Sequence, residues 1–292
     1  MSVDKLQKRI RKLKNPLMVS FPMDLSLIPP QYLNENRSHL ADYISYANDL
    51  LTALKENVAA VRFDFGSFSV CGPEGLSELS GLLRSASALG YYVLLDAAVA
   101  WSPRQAELLA DGLMDRDGDW IFDGLLLSGY LGTDGIRPFA ERLKDNDKDL
   151  FVVLRTGNKS ASEIQDLLTG TRLVHTAAAD MTKRLGEKLM DRCGYSRIAG
   201  VGPATSADVL RNLRSKYPGL FLLIDGLDYP GGNAKICAEG FDELGHGAIA
   251  CVSGYVTCAW NDPSATGETP VACAVAAVER LKKNLNRHIT IL

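Results

Sequence analysis

The sequence predicts an α/β protein folded as a closed (β/α)8 TIM barrel, and three observations carry that prediction. Short apolar runs rich in β-branched residues recur eight times along the chain. Stretches with apolar residues at helical spacing separate them. The length, 292 residues, is what eight strand–helix units need. Runs that are apolar throughout, rather than alternating, suit a parallel sheet covered by helices. An open doubly wound sheet is the competing arrangement, and eight units in this length favour closure.

The elements follow in order. "MSVDKLQKRIRKLKNP" is basic and amphipathic and lacks the apolar stretch of a signal peptide. "PLMVSF" (16–21) reads as the first strand and "HLADYISYANDLLTALKENV" (39–58) as a helix. "AAVRFDF" (59–65) is the second strand, and "GPEGLSELSGLLRSASALG" (72–90) the next helix, with Pro73 suited to its first turn and Gly90 to its C-terminal cap. Strands at 91–97, 123–128, 149–156, 196–202, 220–226 and 247–253 continue the series. Their following helices are expected at 103–114, 134–144, within 160–192, 205–216, 232–242 and 270–285. No linker or low-complexity segment divides the chain, so residues 1–292 read as one barrel domain.

Composition excludes several classes. The formal net charge of −3 gives no basic surplus for nucleic acid or an anionic membrane. No apolar run is long enough to span a membrane. The six cysteines include no C-x-x-C pair, and the four histidines lack metal-ligand spacing, so neither a zinc or redox motif nor a histidine metal site is indicated. A reducing cytoplasm is the default compartment.

Function in such a barrel belongs at the C-terminal ends of the strands. Those ends carry Asp24, Arg62, Asp64, Asp96, Arg155, Thr156, Asp225 and Asp228. The loop holding Gly226, Gly231 and Gly232 leads into a helix, and such a loop either offers backbone N–H groups to phosphate or simply turns the chain.

Five motifs then point to a family. "VAAVRFDF" and "GPEGL" (58–65 and 72–76), "LSGYLGTDGIRPF" (127–139), "LRTGNKSASEIQDL" (154–167), "GVGPATSADVL" (200–210) and "DGLDYPGG" (225–232) occur in order along nearly the whole chain. In this the sequence resembles the orotidine 5′-phosphate decarboxylases, in their longer, bacterial and mycobacterial-like branch. The resemblance implies a dimer formed through the barrel mouth and a cofactor-free, metal-free reaction. In that reaction a lysine on the second strand and a D-x-K-x-x-D motif after the third surround the substrate carboxylate. The motif's lysine protonates the new carbanion-like carbon, and its second aspartate reaches in from the other subunit.

This chain departs from that pattern where it touches substrate. Asp96 keeps the first aspartate, but Ala98 stands at the proton-donating lysine and Trp101 at the second aspartate. Arg62 replaces the second-strand lysine, and a guanidinium is a poor proton donor. Pro22, Gly157 and Pro230 replace the residues that would hold ribose, pyrimidine and phosphate, and Gly254 or Tyr255 falls where an arginine would hold phosphate. The catalytic remnants are therefore Asp96 and Arg62, expected to form an ion pair. The substrate-binding remnants are Arg155, Thr156, Gly226, Gly231 and Gly232. Trp101 is expected to fill the vacated cavity or pack on a partner subunit.

Three readings follow. The first is a pseudoenzyme: a binding or regulatory homologue, inactive or very weak as a decarboxylase, binding nucleotide monophosphates weakly. The second is a working decarboxylase of pyrimidine biosynthesis that uses atypical residues. The third is a barrel turned to another reaction at the same mouth.

Overall fold

Eight parallel strands close on themselves in a computed structural model that describes residues 2–115, 118–265 and 268–292. They are β1 Leu17–Phe21, β2 Ala60–Asp64, β3 Tyr92–Asp96, β4 Gly124–Ser128, β5 Asp149–Val153, β6 Ile198–Pro203, β7 Leu222–Asp225 and β8 Ala248–Val252. Each pairs with the next in chain order, and β8 returns to β1 with Ala250 opposite Leu17. Apart from residues near their ends, the strands are buried on both faces, which explains their unbroken apolar runs.

Helices between the strands start where local chemistry supplies a cap. The side chain of Ser38 accepts from the N–H of Ala41 ahead of His39–Leu54, that of Ser102 from Gln105 ahead of Pro103–Leu113, and that of Thr269 from Ala272 ahead of Pro270–Leu285. Proline opens the last two, at a position whose missing N–H has no helical partner to lose.

The basic N-terminal segment is the helix Ser2–Leu13, whose buried Val3, Leu6 and Ile10 recur at helical spacing. It lies across the N-terminal ends of the strands. Its Asp4 receives the N–H of Cys193 before β6, its Gln7 that of Gly247 before β8, and its Arg9 donates to the carbonyls of Lys55 and Val58 before β2. The floor of the barrel is thereby closed, and function is left to the opposite mouth.

Three expected elements differ. The fifth strand stops at Val153 rather than 156, because the N–H groups of Leu154 and Arg155 both turn to the carbonyl of Val201, a bulge that ends regular pairing. Residues 160–192 hold a 3-10 turn (Lys159–Glu163), a short antiparallel hairpin pairing Leu168–Thr169 with Arg172–Leu173, and then the helix Val174–Gly186. The helix expected over 232–242 covers only Ala234–Ala238, since the chain then turns tightly at Gly240. A Cβ at Gly240 would meet Ile224 Cδ1 at 2.6 Å, so this turn packs against β7.

Candidate functional site

Arg62 occupies the centre of the mouth. Its Nη2 donates to Asp96 Oδ2 at 2.5 Å and its Nη1 to Asp225 Oδ1 at 2.9 Å. Asp96 ends β3, next to β2, so the expected Arg62–Asp96 pair is present. Asp225 ends β7, which β1 and β8 separate from β2, so the guanidinium spans the bore.

Burial and charge compete in this triad. Burial alone would discourage the positive charge of Arg62, but Asp225 and then Asp96 outweigh it and hold its pKa well above the ordinary value. Burial lifts the pKa of Asp96. Arg62 opposes that lift only in part, because one guanidinium is shared between two carboxylates, and nearby Asp64 adds to it. The 2.5 Å contact and the raised pKa point in opposite senses for Asp96. The upward direction follows from a side chain only 12 % exposed.

The other mouth carboxylates have structural partners. Asp64 accepts from the N–H groups of Gly66 (2.9 Å) and Ser67 (3.3 Å), capping the short helix Phe65–Ser69. Asp228 accepts from Ser253 N–H at 2.9 Å. Asp24 caps its own turn by accepting from Ser26. Among the described residues, no three His, Cys, Asp or Glu side chains converge as a metal site requires. Asp64→Ala is expected to cost about 1 kcal/mol, the worth of an N-cap, in equilibrium urea unfolding. A loss as large as that of a buried ion pair would mean that Asp64 serves Arg62 instead.

Arg155 and Thr156, the expected ligand contacts after β5, turn toward their own loop. Arg155 Nε and Nη2 grip both oxygens of Asp166 at 3.0 and 2.9 Å, and Nη1 donates to the carbonyl of Thr156. The Arg155 hydrogen bonds hold the Asp166 carboxyl below the usual carboxylate range. His175 joins them, its Nδ1 3.2 Å from Asp166 Oδ1. The N–H of Thr156 donates to Gln165 Oε1 at 2.8 Å. Every nitrogen of the Arg155 guanidinium is thus engaged before any anion arrives.

In the loop after β7, Gly226 (φ 84°) and Gly231 (φ 91°) adopt a conformation that L-residues rarely take. The N–H of Gly232 is already used, donating to the carbonyl of Tyr229 at 2.8 Å. A Cβ at Gly232 would fall 2.4 Å from the Gly226 carbonyl oxygen, so this glycine is needed for the turn itself. The following helix has only five residues.

After β3, Ala98 is exposed and its N–H donates to Asp96 Oδ1 at 3.3 Å. Trp101 is 80 % exposed and fills no cavity within the chain, contrary to one expectation for it. Cavity filling would have required the loop to fold inward. Instead, the backbone N–H of Trp101 is tied to Gln105 Oε1 in the helix that follows. Sequence reasoning missed Asp166, His175 and Tyr229. Asp166 and Tyr229 lie within motifs that carry the resemblance, and His175 stands in the first turn of the helix Val174–Gly186.

No protein-family profile matches the chain. The orotidine 5′-phosphate decarboxylase of Clostridium novyi is 27% identical over 287 residues, covering 98% of each sequence. That of Clostridium kluyveri is 29% identical over 238 residues, 80% of each. Among solved structures, the Leishmania donovani OMP decarboxylase aligns with a TM-score of 0.71 at 24% identity, over 98% of this chain and 99% of that one. The Plasmodium berghei orotidine 5′-monophosphate decarboxylase aligns with a TM-score of 0.78 at 13% identity, over 98% of each. At these identities the structural likenesses speak for the barrel alone, and the near full-length sequence matches speak for descent: the chain is a homologue of the orotidine 5′-phosphate decarboxylases.

Proposed function

We propose that this barrel is a pseudoenzyme of the decarboxylase type, a binding or regulatory homologue that does not turn over orotidine 5′-phosphate at a useful rate. One observation carries the reading. The only cation of the central triad, Arg62, is bound on both sides by Asp96 and Asp225, while Ala98, at the position where the resemblance places the proton donor, has no proton to give. Nothing in Ala97–Trp101 replaces it. An absorbance assay with orotidine 5′-phosphate tests the reading, and sustained turnover overturns it. The full-length similarity to decarboxylases and the retention of Asp96 at the mouth favour a second reading, a working decarboxylase with atypical residues, and the same assay decides between them.

Ligand and assembly follow from the same mouth. With Arg155 engaged by Asp166 and Gly232 N–H engaged by Tyr229, little remains to meet a phosphate, which supports weak binding of nucleotide monophosphates. A homodimer through the mouth is supported by the apolar side chains exposed there. Val70 (86 % exposed), Val99, Trp101, Tyr130 and Tyr255 stand on the loops after β2, β3, β4 and β8. Exposed apolar groups gathered on one face mark an interaction surface. Light scattering is expected to give about twice the 31.7 kDa chain mass. The Trp101→Glu, Val70→Glu double variant is expected to give the monomer, and a parent protein that is monomeric at tens of micromolar would remove the dimer.

A further inference from the structure

The loop after β7 carries an aromatic ring that no feature of the fold requires. Tyr229 is 43 % exposed, on a turn closed by its own N–H to the Gly226 carbonyl at 3.0 Å and by Gly232 N–H to its carbonyl at 2.8 Å. The ring is seated where two residues lack a side chain. A Cβ at Gly226 would come within 2.4 Å of its Cδ2, and a Cβ at Gly157, on the loop after β5, within 3.1 Å of the same atom. The first distance is impossible for a real Cβ, and the second is tighter than an ordinary van der Waals contact.

The phenol also feels the charges at the mouth. Asp225 at the end of β7 and then burial push its pKa up, while Arg62 of β2 opposes them. The ring therefore packs on a glycine after β5 and feels the charges of the Arg62–Asp225 bridge. The loops after β5 and β7 flank β6 at the mouth, so the ring lies across the C-terminal end of that strand.

We propose that Tyr229 is a resident plug of the barrel mouth, an autoinhibitory contact whose ring sits between Gly157 and Gly226 and closes the mouth against a nucleoside monophosphate. The choice of nucleotide rests on the binding reading above; the plug itself rests on the ring's seat. Entry of a ligand requires the ring to leave that seat, so the population with the ring displaced sets the apparent affinity. Two substitutions empty the seat. Tyr229→Ala removes a half-exposed ring. Tyr229→Ser removes the ring and leaves a small polar side chain in the turn.

Titration calorimetry with uridine monophosphate is the test, using the full chain and both variants. The expected result is a dissociation constant at least tenfold lower for each variant than for the parent. Unchanged affinity in Tyr229→Ala overturns the plug. Weaker binding overturns it too, and makes the ring a stacking platform for the ligand. Should Tyr229→Ala fail to fold, Tyr229→Ser decides by the same criterion. Turnover of orotidine 5′-phosphate by the parent would overturn the proposed lack of activity without touching this result, so the two failures are told apart.

Discussion

Orotidine 5′-phosphate mixed with the purified protein is expected to persist, its absorbance unchanged over times in which a competent decarboxylase would exhaust it. The expectation follows from what the mouth lacks. A positioned general acid contributes about 10²–10⁴-fold to a rate, and a single preorganised electrostatic group about 10²–10³-fold. Ala98 supplies no acid. Arg62 retains positive charge, but with a pKa held well above its ordinary value it does not release a proton on demand. Its charge is also directed at Asp96 and Asp225 rather than at a developing carbanion. These two deficits together predict a rate lower by about four decades or more than that of an intact charge array. Robust turnover that Asp96→Asn abolishes would sink the proposal, because the remnant carboxylate would then be catalytic.

Arg62→Met is expected to lower stability at neutral pH by about 3–5 kcal/mol, the cost of leaving buried charge without its partner. Arg62 is 17 % exposed and its partners Asp96 and Asp225 are 12 % and 24 % exposed, so water screens the triad weakly. Methionine keeps most of the volume, which leaves charge as the main loss. Asp96→Asn is expected to cost under about 1–2 kcal/mol, since burial already works against its charge and Asp225 still pairs with Arg62. The pH dependence separates the two. Asp96 holds its proton more tightly in the folded chain than in the unfolded one. Its titration therefore favours the folded state in acid, and that contribution fades as pH rises from the unfolded carboxylate value, about 4, through the raised one. Removing Arg62 raises that pKa further, so the deficit of Arg62→Met is small near pH 4 and grows toward neutrality. Urea unfolding at several pH values reads this directly. A variant as stable as the parent at neutral pH would mean that the triad is open to water.

The barrel itself was legible in the sequence. Buried strands write their own pattern, and caps such as Thr269 with Pro270 fix helix starts from neighbouring residues alone. The helix at 270–285 therefore lies where expected, while that at 232–242 does not, because its end depends on Gly240 meeting Ile224 of β7. The Arg62–Asp96 pair was legible for a related reason. Adjacent strands of a parallel sheet lie about 4.8 Å apart, so chain order alone brings their ends together.

What crosses the mouth was not legible. That Arg62 also reaches Asp225, that Asp166 takes up Arg155, that Trp101 stays in water and that Tyr229 sits between Gly157 and Gly226 are all decided by how loops fold back over the bore. Sequence alone determined the barrel and its end-of-strand residues, since these follow from local periodicity and neighbour pairing. Only the tertiary structure decided which of those residues are already engaged with one another, because a guanidinium or a ring finds its partner through space, across strands and loops whose separation in the chain carries no pattern.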